Sequence, residues 1–303
     1  MIKVKQKHPA KGLGVICELF GKTRQALYSR QKSFERKRLD CELIVGLVLE
    51  KRKLMPLIGT RKLYYLLKKE FLSHGIEIGR DYLFEVLRDY DLLVKKRKRR
   101  VVTTHSQHWM KKYKNLIKDL PVVRPDQVWV SDITYVRELD GFRYLSLVTD
   151  LYSHRIMGYS CSKTLETEGS LQALKMALKE RKEVDKPLIH HSDRGIQYCS
   201  HEYTGLLKQH RIVVSMGEVG NPYENAVAER VNGILKEEFL LSEKFNGQVE
   251  LDKQVAHSIS VYNSLRPHLS CGYLTPDQAY VTKGPLEKQW KSYKKRQNLP
   301  HAA

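Results

Sequence analysis

The chain has 303 residues and a formal charge of +20, from 54 lysines and arginines against 34 aspartates and glutamates. Residues 1–120 hold 30 basic and 12 acidic side chains while residues 121–303 hold 24 and 22, so a chain of two or three domains with a polyanionic partner is expected. A mean hydropathy of −0.49, with no apolar run near the ~20 residues of a spanning helix, excludes a membrane protein, and five scattered cysteines without a CxxC pair exclude a disulfide framework or thiolate zinc site.

The basic start MIKVKQKHPAKG leads into no apolar leader-like stretch, and a cytoplasmic, nucleoid-associated location is expected. Leu13, Val15, Ile16, Leu19 and Phe20 form an apolar stripe, Gly21 breaks it, and Thr23 is placed to cap a helix carrying Ala26 and Leu27. Helix, glycine turn and capped helix is the helix-turn-helix plan, which would aim Arg24, Gln25 and Arg30 at DNA. Any two-helix corner fits the same pattern equally well. A second set follows: an apolar helix from Leu43 to Leu49, the breakers Pro56 and Gly59, a helix from Thr60 with Leu63, Leu66 and Leu67, and a third with Leu83, Val86 and Leu87. Its cations, among them Arg61, Lys62 and Arg80, suit duplex binding. Lys95, Lys96, Arg97, Lys98, Arg99 and Arg100 repel one another and read as a linker, either tracking phosphates or serving as a solvated tether.

From residue 121 the pattern changes. QVWVSDITYV (127–136), FRYLSLVTDL (142–151) and RIMGYSCS (155–162) read as three strands, the first two joined at an Asp-Gly hairpin signal. A helix around Leu171–Leu178, a strand PLIHHSD, a helix over 201–210, a strand RIVVSM and a helix over 222–240 follow. This order is that of the ribonuclease-H-like α/β fold, with a five-stranded mixed sheet. The expected division is 1–38 and 39–94 as two helical modules, 95–120 as basic linker, 121–280 as catalytic core and 281–303 as basic tail.

Asp132 lies among apolar and aromatic strand neighbours, an expensive place for a carboxylate without a partner. Asp193 ends the fourth predicted strand. Asn221, Pro222 and Glu224 form a capping box for the last helix, on which Glu229, Asn225 and Lys236 share a polar stripe opposite Val227, Val231, Ile234 and Leu235. Each acid alone fits a turn, a salt bridge or a solvated face. Three carboxylates gathered without imidazole or thiolate select Mg²⁺ or Mn²⁺, and two such ions suit in-line phosphodiester displacement. His190 and His191, beside Asp193, read as core histidines, and His105 and His108 lack paired cysteines for a zinc module.

The segments WVSDITY, HSDRGIQY, NPYENAVAE with Lys236 downstream, and VYNSLRPHLSCGYLTP resemble the second-reading-frame product of the insertion sequence 3 family of bacterial DDE transposases, with its retroviral-integrase-like core. Asp193 and Glu229 enclose 35 residues, the spacing of that family. The resemblance implies that Asp132, Asp193 and Glu229 are catalytic and hold two Mg²⁺ ions, with Mn²⁺ able to substitute. It implies binding of double-stranded DNA at terminal inverted repeats, strand cleavage, and transfer of the 3′-hydroxyl into target DNA. It further implies a homo-oligomer on paired ends, an upstream-frame product as partner, a DNA contact by Lys236 and support of the site by Asn225. Two other readings of the residues stay open, a DNA-binding regulator with an inactive core and a hydrolytic nuclease of the same fold. Arg266, ahead of a proline, suits either a phosphate contact or a structural clamp, and Tyr262, Asn263 and His268 receive no role.

Overall fold

The computed structural model describes residues 2–95, 110–217 and 225–287. The chain forms two compact units, Met1–Lys51 with Leu66–Leu93, and Arg52–Tyr65 with Val94–Ala303.

The first unit is helical. After α1 (Ile2–Lys7), α2 (Leu13–Leu19) buries Ile16 and Cys17, while Leu19 is 80% exposed and Val15 and Phe20 also face solvent. Only part of the expected apolar stripe is therefore the packed face. Gly21, at φ +61°, ends the helix in a conformation that glycine adopts without strain. The Ala26 amide donates to Thr23 Oγ1 at 3.1 Å, which makes Thr23 the cap that its position suggests. The helix it caps, α3 (Arg24–Leu54), runs for 31 residues and passes through the expected boundary at 38/39. Between Thr23 and Pro56 no proline and only one glycine, Gly46, interrupts the helix formers, so the second helix of the first module and the first helix of the next are one. Helices α4 (Thr60–Ser73) and α5 (Arg80–Asp89) follow. In this unit Ile44, Val48, Leu67, Phe71, Leu83 and Leu87 are buried.

The second unit holds a mixed sheet of β1 (Val128–Glu138), β2 (Gly141–Asp150), β3 (Ile156–Ser162), β4 (Ile189–Ser192) and β5 (Val213–Met216), in the order β3-β2-β1-β4-β5. The first three pair antiparallel, and β1, β4 and β5 pair parallel. A two-residue β6 (Lys244–Phe245), absent from the sequence reading, adds to the far end of β1. Helices α6 (Thr167–Glu180), α7 (Ile196–Cys199), α8 (His201–Gln209), α9 (Ala226–Glu238), α10 (Gln248–Ser264) and α11 (Pro276–Val281) complete the unit. Element order and sheet order together are ribonuclease-H-like.

The pleat of β1 divides the core. Trp129 packs with Leu174, Tyr203 and Leu207 on one side, while Val128 and Val130 pack with Ala228 on the other, so Asp132 falls on the α9 side. Residues 110–120, expected as linker, belong to this core. Met110 and Tyr113 pack against the first cluster and Ile117 and Leu120 against the second. The Met216 amide donates to the Lys114 carbonyl and the Leu116 amide to Ser215 Oγ, covering the edge strand β5 that would otherwise be open to pairing. The helix expected over 222–240 corresponds to α9, whose first described residue is Ala226, with Asn225 as its N-cap at φ −113°, ψ 21°. The capping residues Asn221, Pro222 and Glu224 lie outside the described residues, as do Lys96–Arg100, His105 and His108.

Gly158 on β3 permits the closest approach in the core. A Cβ there would overlap the Ala173 carbonyl and stand 2.6 Å from the Ala177 amide on α6. Overpacking of this kind typically costs about 1–3 kcal/mol even for a small group, and rigid helix backbone cannot yield as a side chain does. Gly158→Val is expected to shift the urea midpoint of the core downward by at least that equivalent. An unchanged midpoint would show that α6 and β3 do not meet this closely.

Candidate active site

Strands β1 and β4 run parallel only from Val128–Ser131 against Ile189–Ser192. Beyond that point β4 ends and β1 continues, paired with β2 alone until β6 joins it. Asp132 is the first residue of β1 past the shared register, and Asp193 is the first past the end of β4. The two carboxylates therefore flank the opening that the parting strands create, a usual ligand position in open α/β sheets.

Helix α9 lies along β1 and supplies the rest. At 100° per residue Asn225, Glu229, Asn232 and Lys236 fall within about 60° of one another. Asn225 Nδ2 donates to the Ser131 carbonyl at 3.1 Å, Asn232 Nδ2 donates to Asp132 Oδ2 at 2.8 Å, and the Lys236 ammonium lies 4.1 Å from the centre of the Tyr135 ring. Eleven helical residues span ~16 Å and four strand residues ~13 Å, so one polar stripe reaches from Ser131 to Tyr135, whose ring roots on the opposite face of the pleat from Asp132 and is met by Lys236 beyond the end of β4. Glu229, on the same stripe, is exposed.

The Asp132 carboxyl is pushed up to about 7, first by burial, then by the charge of Asp193 and, more weakly, of Glu229, against the hydrogen bonds from Asn232 and the Ile133 amide. Burial is the larger cause and the neighbouring acids add to it, so ionisation of Asp132 is disfavoured here. Asp193 Oδ1 accepts the Gly195 amide at 2.9 Å, and Arg194 Nε donates to the Gly217 carbonyl at 2.8 Å, so the turn after β4 is fixed to the end of β5. A Cβ at Gly195 would stand 3.0 Å from that Asp193 oxygen, which explains the glycine. Behind the acids, His190 and His191 are both fully buried. His190 Nε2 meets Ser131 Oγ at 2.8 Å and the Tyr203 hydroxyl at 2.9 Å, and His191 Nδ1 meets Ser215 Oγ at 2.9 Å. Burial pushes His190 down to about 3, so it is a neutral core histidine.

Asn232 is the site residue that the sequence reading missed. It is buried, three residues after Glu229 on the same stripe, and that spacing was the available signal. Asn225 gives its side-chain amide to the Ser131 carbonyl of β1.

Two expected DNA contacts are corrected. Arg266 is 2% exposed and makes a two-point pair with Glu238 at the end of α9, Nε to Oε2 and Nη2 to Oε1, each at 2.8 Å. Lys62 Nζ donates to the same carboxylate at 3.0 Å, and Arg266 Nη1 donates to His268 Nε2 at 2.8 Å. Both cations are spent inside the fold because Glu238 is itself largely buried and needs them. Neighbouring residues of the same segment hold β3. The Tyr262 hydroxyl donates to the His154 carbonyl, while Asn263 accepts from the Ile156 amide and donates to its carbonyl, each at 3.0 Å. Arg24, Gln25, Arg30, Arg61 and Lys95 are exposed, and Arg80 is exposed and paired with Asp81. No helix among the described residues is long and apolar enough to cross a membrane.

Residues 122–222 match the integrase core domain family, and residues 210–276 match a second integrase core domain model. A Shigella sonnei protein described as the insertion element IS600 uncharacterized 31 kDa protein is 32% identical over 86% of this chain and 96% of its own length. The transposase InsF for insertion sequence IS3A of Escherichia coli K12 is 36% identical over 70% of this chain and 74% of its own. Among solved structures, the HTLV-2 integrase catalytic core domain in complex with magnesium is 22% identical and matches 52% of this chain and 97% of that one, with a TM-score of 0.41.

Proposed function

The chain belongs to the insertion-sequence transposases with an integrase core, the group of the insertion sequence 3 element, and on that premise we propose that Asp132, Asp193 and Glu229 form its catalytic acid set and hold divalent metal ions. A transposase of this family is a DNA-transesterifying enzyme. The finer reading is that this one binds the terminal inverted repeats of its element, cleaves the strand there and joins the released 3′-hydroxyl to target DNA.

The observation that carries the reading is that Asp132 and Asp193 stand just past the last shared pair of β1 and β4, where the strands part, with α9 bonded to Asp132 through Asn232. Among the described residues no three carboxylate, imidazole or thiol groups stand close enough together to hold a metal ion, so the gathering of Asp132, Asp193 and Glu229 around one is part of the proposal. The acids are an open set of hard oxygen donors with no nitrogen or sulfur ligand among them, which fits Mg²⁺ or Mn²⁺. When bound, such ions lower the pKa of an attacking hydroxyl and neutralise the leaving oxygen of an in-line displacement.

The chain's own residues do the rest. Asn232 donates to Asp132 Oδ2 and the Ile133 amide to Oδ1, so both oxygens are held in place while each keeps a further lone pair. Asn225 locks the start of α9 to β1, which sets where Glu229 stands. The Gly195 amide orients Asp193. Lys236 offers a cation beside the acids for the phosphate of the reacting strand. The exposed Arg24, Gln25, Arg30, Arg61 and Arg80, with the run from Lys95 to Arg100, supply the duplex and phosphate contacts, and two copies on paired ends give the working complex.

The test incubates the protein with its element's terminal repeats, a target plasmid and Mg²⁺. Joined products are expected with the wild type and not with Glu229→Gln. Joining that persists in that variant removes Glu229 from the site, and binding with neither cleavage nor joining in Mg²⁺ or Mn²⁺ makes the protein a DNA-binding regulator.

A further inference from the structure

A lysine on the same helical stripe as Glu229 stands within the field of Asp132, and such a cation has two destinations. It can close onto a carboxylate, taking up an oxygen that a divalent ion needs, or it can be held elsewhere and stay available to a phosphate. Among the described residues Lys236 makes no ion pair with Asp132 or Glu229. Its ammonium lies 4.1 Å from the centre of the Tyr135 ring instead.

Tyr135 is three residues beyond Asp132 on β1, at a part of the strand that no longer has β4 beside it. That gap lets a side chain from α9 reach a ring rooted in the strand. The ring is itself steadied by Phe142, edge to face across the hairpin at 5.4 Å and 85°. An aromatic face attracts a cation through its quadrupole and carries no formal charge, so it holds the ammonium without neutralising it. It also has no lone pair that must be surrendered when a phosphate arrives.

We propose that Tyr135 is a positioning residue that parks Lys236, holding its ammonium clear of Asp132 and Glu229 so that the acids stay open to a divalent cation and the lysine stays open to a DNA phosphate. The proposal rests on the reading of Asp132, Asp193 and Glu229 as metal-holding acids. The ring face does this work and the hydroxyl does not, so phenylalanine serves as well. Leucine fills similar space without a π face and frees Lys236 to pair with Asp132, where it competes with the metal.

The experiment titrates the full-length protein with Mn²⁺ and reads free Mn²⁺ by electron paramagnetic resonance, without DNA or turnover. Tyr135→Phe is expected to match the wild type, and Tyr135→Leu to bind Mn²⁺ about fivefold more weakly, the scale of one exposed-to-buried cation–π contact. The double variant Tyr135→Leu with Lys236→Met is expected to return to the wild-type value, which a merely structural loss of the ring would not allow. Lys236→Met alone, with the ring intact, is expected to tighten Mn²⁺ binding by less than about twofold, because the parked ammonium acts on the acids only through its field. This arm does not depend on the leucine variant folding. The proposal is overturned if Lys236→Met binds Mn²⁺ several-fold tighter, because the lysine then already sits on the acids. It is equally overturned if Tyr135→Leu binds like the wild type, or if the double variant stays weak. Absence of saturable Mn²⁺ binding sensitive to Asp132→Asn in the wild type itself would instead remove the metal reading, and the proposal with it.

Discussion

Asp132→Asn is expected to reduce strand joining by roughly 10³-fold or more, equivalent to about 4 kcal/mol of transition-state stabilisation. The same change should make the metal-free protein more heat-stable at pH 8. The two effects have one cause. Asparagine keeps the shape and the Ile133 amide bond, and the amide of Asn232 can turn to present Oδ1, which is buried and has no partner in the wild type. What disappears is a charge that the fold holds at a cost. The Asp132 carboxyl is raised to about 7 from an ordinary 3.8, so the protonated acid is the form that the fold favours. Its contribution to stability is complete below its unfolded value and is lost as pH rises through 7. The metal-free wild type should therefore lose melting temperature between pH 5 and 8, and Asp132→Asn should lose less. The slope does not vanish, because burial also raises Asp150 to about 7. Melting curves in chelator at pH 5, 6, 7 and 8 measure this. Parallel curves for the two proteins would mean that Asp132 is not a carboxylate held under electrostatic stress.

How far such a site can be read from sequence depends on what each residue requires. The strands of the core declare themselves through period-two alternation and branched residues, and Asp132 is conspicuous as an acid in that pattern. The 35 residues between Asp193 and Glu229 carry a resemblance that spacing alone could not. Asn232 escapes notice because an asparagine on a polar helix stripe resembles a solvated residue until its partner on β1 is known. Continuity of α3 is hidden because each half has a plausible partner of its own, and only the lack of a breaker between Thr23 and Pro56 argues otherwise. Segment 110–120 looks like linker because its apolar residues are spaced among lysines, and its role follows from the open edge of β5, which no local pattern announces. For Arg266 the sequence shows a cation before a proline. Whether that cation points to phosphate or to protein is decided by Glu238, 28 residues earlier.

That pair gives the second large effect. Arg266→Met is expected to destabilise the core by about 3–5 kcal/mol, the cost typical of breaking a buried ion pair from one side. Glu238 would keep only Lys62 at 3.0 Å in place of a two-point guanidinium contact. In the wild type burial opposes ionisation of Glu238, and Arg266, followed by Lys62, overrides it and holds the carboxyl down at about 2. An acid depressed in this way contributes stability that is present above its ordinary value of 4.5 and is lost as pH falls through 2. The wild type should thus show a steep acid limb that flattens in Arg266→Met. Lys62, pushed down to about 8 by burial and next by Arg266, should recover a higher value once that neighbouring cation is gone. Joining should fall along with stability, since Glu238 is two residues beyond Lys236 on α9 and anchors the end of the helix that carries Glu229 and Asn232. The double variant Arg266→Met with Glu238→Leu separates charge from shape, because replacing both partners with apolar groups of similar size removes the desolvation cost along with the attraction. It should regain part of the lost stability and not all of it, because Lys62 loses its carboxylate partner in the exchange. Urea melts of the two variants decide the matter: a single variant as stable as the wild type would return Arg266 to the surface, where a phosphate could reach it. A double variant no better than the single one would show that the clamp acts through geometry alone.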